Sequence, residues 1–238
     1  MKRWLQSVLL VVCCCLFLWA ADFWNQKPYT EWKWHEINKM LGSSPWAVQQ
    51  GFGERRTLSE ESARQQEEVS REPLTKGVNE DVEVPSIVAR QYFIRLQSAA
   101  PIRMALAQRA VLEGRLSQEQ AADYVEIHPA TGYIVVAVLV PRTQDRAELN
   151  LVGTEYLKSR AYLRLKKSKK RIYLEAYSSP AEMGGWEAYL YFPRYSGEDD
   201  LFQLEEEEFT FVCEFSSETR LSRRFNLSRM IFHGDLEI

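Results

Sequence analysis

Few residues in this sequence are spaced for chemistry. His35-Glu36 opens the pattern H-E-x-x-H, in which two histidines one helical turn apart reach a single zinc ion, but position 39 is Lys. His128 and His233 lie far off with no ligand-type residues clustered beside them, so no metal site is expected. Gly51-Phe52-Gly53 begins like a phosphate loop, yet Arg56 stands in place of the third glycine and no strand pattern precedes it, so the stretch reads as linker. Neither a G-x-S-x-G elbow nor a G-x-x-x-x-G-K-[ST] loop occurs, and no cofactor is expected. Cys213 shares its parity with Phe209, Phe211 and Phe215, which puts the thiol on a core face, where burial raises its pKa and leaves it inert. No catalytic residue can be named. A hydrolase would have to use dispersed carboxylates such as Glu126, Glu175 and Glu187, which nothing in the sequence brings together.

Charge and aromatic surface are the alternatives to catalysis. Lys166, Lys167, Lys169, Lys170 and Arg171, with Lys158, Arg160 and Arg164 upstream, form the densest positive stretch. It is a candidate patch for lipid head groups or another anionic envelope polymer, set against the plainer reading of a solvated hairpin tip. Glu205 to Glu208, with Glu198, Asp199 and Asp200, form the opposite pole and lack the ligand spacing of a calcium loop. Tryptophan concentrates early. Trp32 and Trp46 are candidate aromatic contacts for sugars or a membrane interface, and the competing reading has Trp34 and Trp46 packing an N-terminal helix onto the domain.

The chain must be long enough to position such groups, and its 238 residues, 45% hydrophobic and 26% charged, accommodate one ordinary core plus appendages. The formal net charge of −3, made more negative if Lys2 and Arg3 are removed, offers no overall attraction for nucleic acid. Lys2-Arg3 followed by the apolar run Val8 to Ala21 has the layout of a secretory signal. Leu18 or Trp19 would sit three residues before the cut, so an uncleaved anchor remains the alternative; either way the chain works outside the cytoplasm. Cys13 to Cys15 lack the small residue that lipoprotein processing prefers before its cysteine and pack as small hydrophobes. Cys213 is then the single cysteine of a cleaved product, which supports no disulfide framework.

The expected fold class is α+β, a mainly antiparallel, sandwich-like sheet with a few short helices. The expected order is a signal or anchor over 1–21, a short helical segment over 22–48, a disordered linker over 49–84, and the α+β domain over 85–238. Thr30 as N-cap, Trp34, Ile37 and Leu41 on one face, and Gly42 as stop define the first helix. From Gln49 to Val84 polar and charged residues dominate, too little apolar area to offset chain entropy. Tyr92, Ile94 and Leu96 read as a strand, Pro101 begins a helix running to Gly114, and Ser117 with Gln120 is a capping box. Tyr133 to Val140 is another strand, and Leu163, Leu165, Ile172 and Leu174 form a hairpin around Ser168. Trp186, Ala188, Leu190 and Phe192 share a further strand face, and a last strand runs through Phe225 and Leu227 toward Leu236.

Glu31-Trp32, Met40-Leu41 and Ser44-Pro45-Trp46 near the start, Gln97 to Arg103 in the middle, and Arg224 to Leu227 with Met230 and Gly234 to Glu237 at the end resemble a family of uncharacterised bacterial secreted proteins. The resemblance implies export and a bacterial source and carries no catalytic residue with it. With the residues above, it favours a non-catalytic envelope-associated binding module. Its partner would be an envelope protein or a membrane surface. The rivals are a hydrolase and a structural subunit of an envelope assembly.

Overall fold

The computed structural model describes residues 23–54, 88–126, 132–141 and 146–238. The expected signal or anchor over 1–21, His128 and the expected linker from position 55 onward lie outside the described residues. The domain is α+β, as expected, with every strand pairing antiparallel.

Five strands form the first sheet: β1 (Ala47–Glu54), β2 (Val88–Leu96), β3 (Tyr133–Leu139), β6 (Ala176–Ser178) and β7 (Glu187–Pro193), in the order β1-β2-β3-β7-β6. The second sheet, in the order β11-β10-β4-β5, contains β4 (Ala161–Leu165), β5 (Arg171–Tyr173), β10 (Glu208–Glu214) and β11 (Arg220–Asn226). Period-two alternation turns Ile94, Val136, Leu190 and Phe192 of the first sheet, and Leu163, Phe209, Phe211 and Cys213 of the second, into one shared core. Across it Phe192 meets Phe211 edge-on, with ring centroids 6.2 Å apart.

The sheets are joined at both sides. On one side the chain leaves β5, pairs Leu174 N–H with Ala161 O, then pairs Glu175 N–H with Tyr191 O and continues as β6 in the other sheet. On the other, the Gln50 side chain imitates a strand residue: its amide donates to Arg220 O (2.9 Å) and accepts from Ser222 N–H (2.8 Å), and Arg223 Nε donates to Gln49 O (2.7 Å). Edge groups of β1 and β11 that would otherwise face water are thereby engaged.

Strand β1 corrects the expected linker boundary. Residues 49–54, including Gly51-Phe52-Gly53, pair in register with 88–93, so ordered structure extends past the expected linker boundary. The N-terminal helix packs onto the domain, as the packing reading expected: Trp24, Trp32, Ile37, Met40, Leu41 and Trp46 all enter the common core. Helix α1 (Trp34–Gly42) begins later than Thr30 would place it. Its first turn is closed by Glu36, whose carboxylate accepts Lys33 N–H (2.8 Å) and Lys27 Nζ (2.8 Å). That start turns Ile37, Met40 and Leu41 inward and leaves Trp34 46% exposed, so Trp32 takes the packing role expected of Trp34.

Helix α2 (Ala100–Leu112) starts with Pro101 in its first turn, and α3 (Gln118–Glu126) carries the expected capping box, with Ser117 and Gln120 bonded reciprocally at 2.9 and 3.1 Å. Two short helices, α4 (Arg146–Leu151) and α5 (Thr154–Leu157), were not legible. The expected final strand stops at Asn226; Leu227–Arg229 form a 3-10 turn before the small hairpin of β12 (Ile231–Phe232) and β13 (Asp235–Leu236). A second small hairpin pairs β8 (Tyr195–Ser196) with β9 (Asp199–Asp200).

Candidate functional site

The outward face of the first sheet is where charge enters the interior. Strand β2 places Arg95 opposite Ala137 of β3, and Ala137 sits opposite Tyr189 of β7, so one row carries Arg95 and Tyr189 on either side of a small residue. Glu187 lies one row along. Ala137 leaves room for the Arg95 guanidinium to cross β3 and pair with Glu187 Oε1, and Tyr189 OH donates to Glu187 Oε2 at 3.0 Å. Arg95 is only 2% exposed, so this is a buried charge pair completed by a phenol. Burial, and next the Glu187 charge, push the Tyr189 phenol well up, which keeps it a donor.

Above this floor α2, the turn into α3, and the loop before β7 enclose a cleft of about 330 Å³. Gln97, Glu187 and Tyr189 face it from the sheet, and Arg109 and Tyr124 from the helices. Trp186 and Met183 supply its apolar rim and are both about half exposed. The loop is held by local bonds. Ser179 and Glu182 cap each other at 2.7 and 3.3 Å, and Gly185 N–H and Gly184 N–H reach back to Pro180 O and Ala181 O. That closing pattern needs a left-handed residue, which Gly184 provides at φ +63°. Trp186 lies just before β7, correcting the expectation that it shares the inward face of Ala188; its indole instead receives the Arg146 guanidinium at 3.4 Å.

Polar atoms of the cleft are incompletely matched. Arg109 Nε is buried without an acceptor, and its ion-pair contact, Glu113 Oε1 at 3.9 Å, exceeds hydrogen-bonding distance. Glu113 is already engaged by Arg115 through Nε at 2.6 Å and through Nη2. Burial and then the neighbouring Arg95 charge lower the Arg109 pKa. Arg95 Nε also lacks an acceptor, and Gln97 Oε1 lacks a donor while its Nε2 donates to Tyr124 OH at 3.3 Å. Buried unmatched polar atoms are rare in native proteins, and two of those among the described residues, Gln97 Oε1 and Arg109 Nε, belong to side chains that line this cleft.

A second hollow, of about 520 Å³, is lined by Glu148, Ser216, Leu151 and Tyr156. Its polar groups satisfy one another: Glu148 accepts from Ser216 Oγ and from Tyr92 OH (3.1 Å). Burial and then Glu148 push the Tyr92 phenol up to about 12. That network ties α4 to the β10–β11 turn, and none of the buried unmatched atoms among the described residues belongs to a residue lining this hollow, so the smaller cleft is the stronger candidate.

The sequence-derived candidates fall elsewhere. Trp32 and Trp46 are core residues without an indole face for a ligand; Trp32 Nε1 donates to Lys27 O (3.4 Å) and Trp46 Nε1 to Glu237 O (2.6 Å). Lys166, Lys167, Lys169, Lys170 and Arg171 do occupy a hairpin tip, but the acidic run read as an opposite pole lies against it. Lys166 and Lys167 pair with Glu207 at 2.9 and 2.5 Å, Glu206 accepts Lys167 N–H and Ser168 N–H, and Arg171 stacks over Tyr162 at 4.9 Å. Two of the five residues of the proposed anionic-surface patch, Lys166 and Lys167, are thus paired within their own chain. Of the three dispersed carboxylates, Glu187 alone lines the cleft; Glu175 is exposed and accepts from Tyr133 OH (2.8 Å), and Glu126 is exposed at the end of α3. Among the described residues no three His, Cys, Asp or Glu side chains are grouped to hold a metal ion.

The segments quoted for the family resemblance meet in one joint. The Trp46 indole binds Glu237 O, the Glu237 carboxylate accepts Ala100 N–H at the start of α2 (3.2 Å), and Ser98 Oγ accepts Val135 N–H (3.1 Å). These bonds hold Trp46 and Glu237 to the start of α2, and Gln97, at the head of the middle segment, also lines the cleft. No helix among the described residues is long and apolar enough to cross a membrane. No protein-family model matches the chain, and neither does any curated protein or solved structure.

Proposed function

We propose that this chain is an exported, non-catalytic binding module of the cell envelope, and that the arginine-lined cleft is where it takes a small anionic ligand. The apolar N-terminal run and the resemblance to secreted proteins support the location. Arg109 carries the binding reading. A half-buried guanidinium whose Nε has no acceptor costs stability, and an anion in the cleft supplies what the protein withholds. Glu187 supports binding over hydrolysis, because both its oxygens are engaged, by Arg95 and Tyr189, and it acts as a counter-charge in the floor. The trapped guanidinium–carboxylate pair also keeps the floor rigid, which limits the ordering cost of association.

The reading is tested by nuclear magnetic resonance on the mature chain. The Arg109 Nε–H and Trp186 Nε1–H resonances should shift saturably on addition of sodium acetate or inorganic phosphate at constant ionic strength, while that of Trp46 stays still. Shifts that grow linearly without saturation, or that are equal at Trp46, would refute it. Fractionation that leaves the full-length chain in the cytoplasm would refute the location.

A further inference from the structure

We infer that the ligand of this cleft is the C-terminal residue of a peptide, or an N-acylated amino acid of the same chemistry, with an apolar side chain. The inference rests on the cleft being an anion site and goes further by assigning three recognition elements.

The first is charge. Glu187 pairs with Arg95 and Glu113 with Arg115, so Arg109 is the guanidinium lining the cleft that no carboxylate among the described residues hydrogen-bonds. A single carboxylate supplies that partner. A dianionic phosphate would bring a second charge near the Glu187 carboxylate, where like charges repel. Carboxylate geometry also suits the planar fork of Arg109.

The second is a donor requirement. Gln97 lines the same cleft, and its Oε1 is buried without a donor, the amide being oriented by the bond from Nε2 to Tyr124 OH. A simple fatty or aromatic acid brings a carboxylate and no N–H. A peptide C-terminus carries an amide N–H on the carbon that bears the carboxylate, so it can satisfy Arg109 and Gln97 together.

The third is an apolar contact. The Trp186 indole, held by Arg146 at 3.4 Å, and the exposed Met183 thioether stand at the rim. Both are suited to a flat or branched apolar side chain and are otherwise left in water. At about 330 Å³ the cleft lies near the lower end of the roughly 300–1,000 Å³ of ligand sites, which limits the enclosed part to about one residue.

Calorimetric titration with four probes separates the possibilities: N-acetyl-L-phenylalanine, its C-terminal amide, 3-phenylpropionate and inorganic phosphate. N-acetyl-L-phenylalanine should bind best. The amide, which loses the charge, should bind about ten- to a hundredfold more weakly, and 3-phenylpropionate, which loses the N–H, about three- to tenfold more weakly. Arg109→Met should abolish the preference for the carboxylate, and Trp186→Ala, at an exposed rim position, should weaken both aromatic acids alike; circular dichroism checks that each variant is folded. If 3-phenylpropionate equals N-acetyl-L-phenylalanine, or phosphate exceeds it, the peptide inference fails while the anion site stands. If no anionic probe binds saturably, or Arg109→Met binds all of them unchanged, both fail.

Discussion

Two regions of this protein carry dense charge, and they treat it in opposite ways. At the β4–β5 tip, Lys166 and Lys167 pair with Glu207 in water, and Glu206 accepts the N–H groups of the turn. On the outer face of the first sheet there are fewer charges, spread over β2, α2 and β7, but they are buried and imperfectly matched. Exposed pairs are worth little because water competes for both partners, whereas a buried guanidinium keeps whatever it lacks. Charge density along the sequence therefore points to the tip, whereas unmet valence in the interior points to the cleft.

The contrast is broken most severely at Arg95. Arg95→Ala would strand Glu187 beneath the cleft with one oxygen held only by Tyr189 OH, and should cost about 3–5 kcal/mol by urea denaturation. The double variant Arg95→Met, Glu187→Leu should recover most of that loss, since an apolar pair of similar volume leaves no buried charge. A loss below about 1 kcal/mol in the single variant would mean that water reaches the pair and that the floor is not an interior at all.

Arg109 should behave in the reverse sense. Arg109→Met removes a guanidinium whose Nε has no acceptor, so stability should hold or rise by about 1 kcal/mol while the response to anions disappears. A clear destabilisation would make Arg109 a structural residue like Arg95 and remove the difference between them.

How far the sequence reveals these regions follows from how local each signal is. The β4–β5 hairpin, the Pro101 start of α2, the Ser117–Gln120 cap and the inward Cys213 are written in a few adjacent residues, and all were legible. Strand β1 was not, because Gln49-Gln50-Gly51 has no apolar alternation; its order comes from pairing with β2 and from Gln50 reaching β11, over 170 residues away. The helix face of Trp34 was misread because Glu36 sets the start of α1 at Lys33. The cleft was the least legible. Arg95 looks like an ordinary polar position in an alternating strand, and only the small Ala137 beside it and Glu187 in a distant segment turn it inward. Glu187 was named, but among carboxylates that never meet.

The smallest expected effect, at the tip, tests the other half of the comparison. The ammonium groups of Lys167 and Lys166 hold the Glu207 carboxyl down at about 2, from an ordinary 4.5. Glu206 is lowered too: burial opposes this, and the bonds from Ser168 and the Lys167 N–H outweigh it. A depressed folded-state pKa means that between about 4.5 and 2 the unfolded chain binds more protons at this site than the folded chain does. The tip's contribution is therefore present above the unfolded carboxylate value and fades as pH falls through the folded one. Because Glu207 and its lysines are solvent-exposed, the effect should appear in titration while hardly moving stability. Carbon-detected titration of the Glu207 carboxylate should give a midpoint near 2 at low salt, moving toward the ordinary value at 1 M sodium chloride and in Lys166→Ala, Lys167→Ala. Glu207→Gln should leave the urea midpoint at pH 7 unchanged within error and leave anion binding in the cleft untouched. A normal Glu207 midpoint at low salt would show the tip lysines to be unpaired in solution, restoring them as a candidate anionic-surface patch.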